Sequence, residues 1–534
     1  MLVALVFCVA LAALVALRAG DGSAARPSRD AAQAAVLSDP VARRHLARLG
    51  FDRVLTTPLD VRTTRISFFN GSRVVLEAAV PRQGAVTALN RYEDGNARLG
   101  SDVGQRAPAL IGLLALFLLA TLRLPLLRVQ NLDVTVLAGF VAPVVLLNER
   151  YLAWSVVTGS LLLAYLTVRC AFAAFARSPA PGQFLFERLS RWTRRACVVG
   201  AAVALVLLSI PGGLVSDVAL ASMAGATKLL DGALPYGNLT PGELVHGDTY
   251  PLLAYLAYVP GALVTPVRDG FDSLEGALWV ATGFALVAAC ALGVAVRRHG
   301  GNGTRAMLAM LAFPPVMIAA SSGSNDVVAA ALVALALAAG STAALTAAGW
   351  VKLAPLALVP LWVAAARRRG LALVGAVVVT AGLAVVLLAL GGPSALGDMV
   401  DALSFQAERG SLLSPWTLLD AGGAQVVFQA AVIAGIAGAC MRVRSDRALA
   451  VDPRRMAALG AAILLAVQLA ANYWSYTYLA WVFPLIAMAL LTASKPSVVD
   501  LPPSEGQMHQ QTRLRLPKPS RPPAPSGSPP EARR

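Results

Sequence analysis

Residues 371–390 read LALVGAVVVTAGLAVVLLAL, twenty consecutive residues without a charged side chain. As a helix, a stretch of this length matches the hydrocarbon thickness of a bilayer. Comparable apolar runs recur at Ala107–Leu122 and Met456–Ala470. Of the 534 residues, 14% are charged and 57% are hydrophobic, whereas soluble domains contain about 25% charged residues. The composition excludes a soluble globular enzyme and predicts an all-α polytopic membrane protein.

The apolar pattern predicts about 12–14 membrane spans. The first is at 1–17, and the others lie at about 107–122, 132–147, 152–170, 196–213, 276–296, 306–320, 326–340, 371–391, 424–441, 457–472 and 475–492. The short Arg-rich loops all fall on one side only if two apolar, Pro-containing stretches are not simple spans. We therefore expect Tyr250–Thr265 to lie on the outer face and Ala343–Ala366 to form a hairpin broken near Lys352.

This topology predicts five regions. The first span at 1–17 precedes a small extracytoplasmic α+β domain at 18–106, followed by a three-span extension at 107–195. A membrane core at 196–492 has outer loops at 214–275 and 392–423, and a disordered Pro-rich tail occupies 493–534. In the α+β domain, Ser38 is predicted to cap a helix that ends at about Leu49. Strands are expected at Arg65–Phe69, Arg73–Val80 and Ala85–Tyr92, with an Asn70-Gly71 hairpin turn.

The positive-inside rule then puts both termini of a multi-pass protein in the cytoplasm. The chain has four Lys against 41 Arg and much Ala and Gly, a usage typical of a GC-rich bacterial genome, so we expect the bacterial plasma membrane. The net charge of +16 comes largely from Arg residues between the spans, so we expect no nucleic-acid partner. None of the five Cys forms a CxxC or Cys/His pair, and no metal site is predicted. No Gly-rich phosphate loop follows a strand. The sequence predicts no cofactor and leaves a divalent ion as an open alternative.

Polar residues cluster in the predicted outer loops. Asp217 follows a span, and a carboxylate at that position is either a general base or the N-cap of the next helix, a role that Ser216 could also fill. His246 and Asp248 could orient an acceptor hydroxyl or a donor phosphate, or they could only shape the loop. Tyr250 begins the interfacial segment and is predicted to contribute to the same substrate site.

Three further groups interrupt the apolar core. Asn325 and Asp326 occur in Ser321-Ser-Gly-Ser-Asn-Asp326, where they either face a polar site or cap a helix. An unpaired Lys352 would cost roughly 2.5–3.5 kcal/mol on insertion scales, so we expect it to meet a carboxylate or a lipid phosphate, or to reach the interface. Arg409 is a second candidate phosphate contact.

Several of these residues occur in motifs that resemble the GT-C glycosyltransferases. The motifs are Asp217 after a span, Leu234-Pro-Tyr-Gly237, Asp248-Thr-Tyr-Pro-Leu-Leu-Ala-Tyr255, Gly323-Ser-Asn-Asp326, Lys352-Leu-Ala-Pro355 and Ser414-Pro-Trp-Thr-Leu418. The nearest branch is glycosyltransferase family 87, the actinobacterial mannosyltransferase-like DUF2029 group, over about residues 196–492. Residues 1–195 resemble the N-terminal part of certain actinobacterial membrane proteins.

The resemblance implies an outward-facing site with a polyprenyl-phosphate sugar donor and a membrane glycolipid or cell-wall glycan acceptor. It implies inverting transfer of mannose or another hexose, with Asp217 as the base and with Lys352 and Arg409 as phosphate partners.

Two other classes of protein stay open. A lipid or solute transporter would place charges at broken helices in mid-membrane, and the predicted break at Lys352 fits this alternative. A non-catalytic envelope sensor or assembly protein would use residues 18–106 as its receptor. Against transport, the polar residues cluster on the predicted outer face and no internal repeat is found.

Overall fold

The structure is a computed structural model of the chain. It describes residues 27–58, 63–71, 73–91, 103–176, 183–209, 216–239, 247–267, 274–408, 410–411, 413–473 and 475–491. The predicted first span at 1–17, the predicted tail at 493–534, His246 and Arg409 lie outside the described residues. The described residues belong to one compact unit.

Helices dominate the chain from Val103 onward. The longest continuous helices are Val103–Thr121, Leu152–Phe175, Arg191–Ser209, Asp217–Leu230, Glu275–Arg298, Asp326–Ala339, Arg369–Gly391, Ala395–Glu408, Gly422–Ser445 and Pro453–Ala470. Shorter or interrupted ones are Val129–Gly139 with Val141–Asn148, Gly303–Leu311 with Pro314–Ser321, and Leu479–Ile486 within the segment Tyr476–Leu491. Each span predicted from residue 107 onward overlaps one of these helices or helix pairs.

Among the described residues, seven helices are long and apolar enough to cross a membrane. For the most and the least apolar of these helices, burial is opposite to that expected in a soluble protein. Arg369–Gly391 is the most apolar of the seven, yet only 17% of its apolar window is buried. Pro453–Ala470 is the least apolar and 78% of its window is buried. Outward-facing apolar side chains in such number require a lipid solvent, which is the arrangement of a multi-pass membrane protein.

Several apolar stretches are broken at proline. The pair Gly303–Leu311 and Pro314–Ser321 is bent by 56° and is an eighth candidate span if it counts as one. The two stretches that are predicted not to be simple spans form only short pieces, namely Leu252–Leu256, Val259–Val264, Thr342–Gly349, Ala354–Leu358 and Val359–Ala365. Proline lacks an N–H group and its ring clashes with the preceding turn. None of these pieces is long enough to cross about 30 Å of hydrocarbon.

The described residues between 27 and 91 form two helices and an antiparallel sheet. The helices are Arg29–Ser38 and Pro40–Leu49, and the strands, in spatial order, are Arg53–Pro58, Thr63–Asn70, Arg73–Pro81 and Ala88–Arg91. The predicted hairpin turn is present, with Gly71 at a φ of 60°, but Asn70 is the last residue of its strand and pairs with Arg73. Phe68 and Leu76 pack with Val36 and Leu46 between the sheet and the helices.

Two details of this region differ from the prediction. Ser38 ends the first helix, and the N-cap of Pro40–Leu49 is Asp39, whose carboxylate accepts from Val41 N and Ala42 N. Asp is as good an N-cap as Ser, and Pro40 suits the first helical position. The strand Arg53–Pro58 is not predicted because its central residues Val-Leu-Thr-Thr are too few to show a clear alternation.

Arginines at one end of the bundle donate to the last carbonyl groups of neighbouring helices. Five such bonds join described residues: Arg123 Nη2 to Leu490 O (2.7 Å), Arg454 Nε to Ala489 O (2.9 Å), Arg455 Nε to Ala174 O (2.7 Å), Arg447 Nη1 to Ala365 O (3.3 Å), and Arg298 Nη1 to Ala338 O. The last carbonyls of a helix have no intrahelical donor, and its dipole favours a cation there. These five arginines define the arginine end of the bundle.

We predict that Arg454→Met lowers the free energy of unfolding by about 1.5–3 kcal/mol, the contribution of a hydrogen bond to a charged group. Arg444→Met is the matched control, because Arg444 is exposed and forms no carbonyl bond to a described residue. Both variants remove one positive charge, Arg444 from the last turn of helix Gly422–Ser445 and Arg454 from the first turn of helix Pro453–Ala470. Unfolding in mixed micelles measures the difference, and equal effects of the two substitutions would contradict the capping role.

Candidate functional site

Asp326 and Lys352 form a buried ion pair at the end of the bundle opposite to the arginine end. Lys352 Nζ lies 3.4 Å from Asp326 Oδ1, and the two side chains are 8% and 1% exposed. Asp326 begins the helix whose Ala338 carbonyl is bonded at the arginine end. Twelve residues of helix rise about 18 Å, so the ion pair and the arginines are separated by most of the bundle.

Each carboxylate oxygen of Asp326 also accepts from a neutral donor. Trp481 Nε1 donates to Oδ1 over 3.2 Å, and Ser324 Oγ donates to Oδ2 over 2.7 Å. A buried ion pair is stable only when its remaining hydrogen-bonding capacity is satisfied as well. These donors hold the carboxylate in one orientation toward Lys352.

Lys352 lies in the break between Thr342–Gly349 and Ala354–Leu358. Its Nζ atom is 4.6 Å from the centre of the Tyr250 ring and 5.1 Å from the centre of the Tyr478 ring. Cation–π contacts of desolvated ammonium groups contribute about 2 kcal/mol. The ammonium group is therefore held by one carboxylate and two aromatic rings. Asp326, Lys352, Tyr250, Tyr478 and Trp481 are called the ion-pair cluster below.

The loop before Asp326 connects this cluster to the helix that begins at Asp217. Ser216 N and Ser216 Oγ both donate to Ser322 O over 3.0 Å, and Asn325 Nδ2 donates to Ser222 Oγ over 3.3 Å. Gly323 has a φ of +70°, and a Cβ atom there would lie 2.8 Å from the Ala219 Cβ. Glycine thus allows both the turn and the close approach of the loop to the helix.

Asp217 itself is exposed. The N-cap of its helix is Ser216, whose hydroxyl accepts from Ala219 N, so capping does not depend on Asp217. One carboxylate oxygen accepts from Val218 N over 2.9 Å. No ion pair joins Asp217 to another described residue, and the carboxylate stays accessible at the first turn of the helix.

Asp248 and Tyr250 lie in a loop that tyrosine hydroxyls hold in place. Asp248 Oδ2 accepts from Gly237 N over 2.9 Å. Tyr255 OH donates to Gly247 O (2.9 Å), and Tyr236 OH donates to Tyr250 O (3.1 Å). Burial raises the pKa of both phenols, so both remain neutral donors near neutral pH. Asp248, which the sequence predicts to contact substrate, thus accepts a hydrogen bond that stabilises this loop.

Of the predicted site residues, the structure brings Tyr250, Asp326 and Lys352 into one cluster. Asn325 contacts the adjoining helix, and Asp217 and Asp248 lie in the flanking segments. The helix preceding Arg409 is near the cluster, since Gln406 Nε2 donates to Thr249 Oγ1 over 2.7 Å. Among the described residues, no group of three or more His, Cys, Asp or Glu side chains is arranged to hold a metal ion.

Sequence reasoning missed the aromatic residues of the cluster, Tyr478 and Trp481. The available signal is the aromatic-rich run Tyr473-Trp-Ser-Tyr-Thr-Tyr478 at the start of the last predicted span, a position typical of a membrane-interface belt. A scan against protein-family models finds no match, and comparisons with curated proteins and solved structures also find none. The resemblance to the GT-C glycosyltransferases therefore stays a hypothesis.

We predict that Lys352→Met and Asp326→Asn each lower the free energy of unfolding by about 3–5 kcal/mol, because each leaves a buried group without its partner. The double variant should lose less than the sum of the two. Lys228→Met, at a half-buried lysine of the helix Asp217–Leu230, should change stability by less than about 1 kcal/mol. Additive losses in the double variant, measured by unfolding in mixed micelles, would show that the two charges do not interact.

Proposed function

We propose that the chain is an integral membrane glycosyltransferase. In this proposal it moves a sugar from a polyprenyl-phosphate donor to an extracytoplasmic glycolipid or cell-envelope glycan, with inversion at the anomeric carbon. The observation that supports it best is the buried Lys352, held by Asp326 between two aromatic rings at the end of the bundle opposite to the arginine end. Such a site combines a fixed cation with exclusion of water, and the proposal places it at an interface with lipid.

The chemistry of the transfer matches these groups. The acceptor hydroxyl loses its proton to a base and attacks the anomeric carbon, and the bond from that carbon to the phosphate oxygen breaks. The leaving polyprenyl phosphate then carries one more negative charge. A preorganised cation stabilises the charge as it develops, and Lys352 is our candidate for this role. Asp326 and the two rings would fix the position of the ammonium group.

Asp217 is our candidate for the base. It is exposed, is not required as the N-cap and lies on the helix that bonds to the Ser322–Asp326 loop. A carboxylate in this position is accessible to an acceptor from the aqueous side. Asn325, Asp248, His246 and Arg409 remain proposed contacts to substrate.

The orientation of the chain is part of the proposal. The arginine end would face the cytoplasm, by the positive-inside rule, and the ion-pair cluster would face outward in a bacterial plasma membrane. Both termini would be cytoplasmic, with about 12–14 spans in all. Helix Asp326–Ala339 has 14 residues and a length of about 21 Å, less than the hydrocarbon core of about 30 Å. The cluster would then lie below the membrane surface, within reach of a lipid-linked phosphate.

A transporter is the second candidate. A buried ion pair at a helix break, together with the bent pair Gly303–Leu311 and Pro314–Ser321, is an arrangement that secondary transporters also use. A transporter would move a lipid or solute across vesicles without breaking a sugar–phosphate bond, so product analysis separates the two candidates.

We predict that the purified protein in lipid releases polyprenyl phosphate from a polyprenyl-phosphate hexose when membrane-lipid acceptors are supplied. Asp217→Asn should lower this turnover by about 10²–10⁴-fold, the usual contribution of a general base. Asp231→Asn is the matched control, since Asp231 is an exposed carboxylate after the other end of the same helix, and it should retain turnover. Equal turnover by Asp217→Asn and wild type would remove Asp217 as the base.

If the folded wild type turns over none of several labelled donors, the glycosyltransferase proposal is contradicted. Transport of the same lipids across vesicles would then support the second candidate.

A further inference from the structure

The face of the N-terminal sheet opposite to its own helices packs on the membrane bundle. Phe68 points into the core between sheet and helices, whereas its neighbour Phe69 packs with Val74 against Leu152 and Val156. Leu152 and Val156 are four residues apart and lie on one side of the first turns of helix Leu152–Phe175. This sheet–helix contact lies at the end of the bundle that contains the ion-pair cluster.

Ser155, between Leu152 and Val156, connects the same helix to Tyr476. The Ser155 hydroxyl donates to Pro143 O over 2.7 Å and contacts the Tyr476 hydroxyl. Tyr476 OH also donates to Ser155 O over 3.0 Å. Ser155 is fully buried and Tyr476 is 5% exposed. A buried phenol with these partners has one preferred position.

Tyr476 and Tyr478 belong to the same 3₁₀ turn, Tyr476–Tyr478, which Ser475 caps through a bond from Thr477 N. The Tyr478 ring faces Lys352 at 5.1 Å, and its centre lies 5.8 Å from that of Trp481. Trp481 in turn donates to Asp326. The contacts of Tyr476 therefore hold the turn that carries Tyr478 and leads into the helix that carries Trp481, and both residues belong to the ion-pair cluster.

We propose that Tyr476 and Ser155 are positioning residues of the site and that the Phe69 face of the sheet supports them. The hydroxyl contact holds the turn Tyr476–Tyr478 so that the Tyr478 ring covers the Lys352 ammonium group. The N-terminal sheet then stabilises the site by packing against helix Leu152–Phe175, and it is not an independent receptor domain. The inference rests on the proposed function only in treating Lys352 as the phosphate contact.

The test measures how readily Lys352 reacts with a small amine-modifying reagent in the full-length protein in lipid nanodiscs. The chain contains only four lysines, Lys228, Lys352, Lys495 and Lys518, so peptide mass spectrometry resolves each one, and Lys228 serves as the internal reference. In Tyr476→Phe we expect Lys352 to react about fivefold faster than in wild type. This is the change that corresponds to a hydrogen bond of about 1 kcal/mol.

Three variants distinguish positioning from a general loss of stability. Ser155→Thr keeps the hydroxyl group and should react like wild type, whereas Ser155→Ala should react faster. Tyr165→Phe is the matched control, because it removes a phenol that donates to Asp133 far from the site, and it should leave Lys352 unchanged. An unchanged rate in Tyr476→Phe, or equal acceleration in Tyr165→Phe, would overturn the proposal.

The role of the sheet has its own pair of variants. Phe69→Ala should accelerate the modification of Lys352, and Phe51→Ala, which removes an exposed ring in edge-to-face contact with Phe68, should not. Equal rates in these two variants would overturn the role of the sheet.

The two proposals can fail separately. If the lysine rates change as expected but no donor is turned over, the glycosyltransferase proposal fails and the positioning role stands. If turnover is found but the lysine rates do not change, the positioning role fails and the glycosyltransferase proposal stands.

Discussion

A polar group that is surrounded by apolar side chains and lipid must be given a partner by the protein, and the described structure depends on this constraint. At the arginine end, guanidinium groups donate to the last carbonyls of four helices. At the other end neutral donors do the same for Pro453–Ala470, whose last carbonyls accept from Trp416, Gln425 and Gln429. The last carbonyls of the helices thus accept from charged donors at one end of the bundle and from neutral donors at the other.

The ion-pair cluster follows from the same constraint. Proline breaks the stretch that contains Lys352, and the break brings an ammonium group to the start of helix Asp326–Ala339. Such a pair contributes little to net stability because desolvation opposes the attraction of the charges. Its presence, with two rings and two further donors arranged around it, is better explained by a requirement for a fixed cation. A fixed cation at this break is what the proposed binding of a lipid phosphate requires.

The sequence predicts the long elements well because their signal is local. Twenty uncharged residues at 371–390 strongly favour a membrane helix, and the Pro-containing stretches around Pro260 and Pro355 are correctly predicted not to form single spanning helices. The same local reasoning identified Lys352 as a residue that needs an anion. The sequence does not show whether the anion is a carboxylate or a lipid phosphate. It does not identify Asp326 as the partner, because Asp326 and Lys352 are 26 positions apart in the chain. The roles of Trp481, Tyr476 and Phe69 depend on contacts across still longer separations.

The most direct test is to measure which end of the bundle is accessible from outside intact cells. In a background with the native cysteines replaced, Asp217→Cys and Arg368→Cys introduce thiols at two exposed positions, one at each predicted face. A membrane-impermeant thiol reagent should label the Asp217→Cys variant in intact cells, and it should label Arg368→Cys only after the membrane is permeabilised. Labelling of Arg368→Cys in intact cells, or protection of Asp217→Cys until permeabilisation, would contradict the orientation on which the outward-facing site depends.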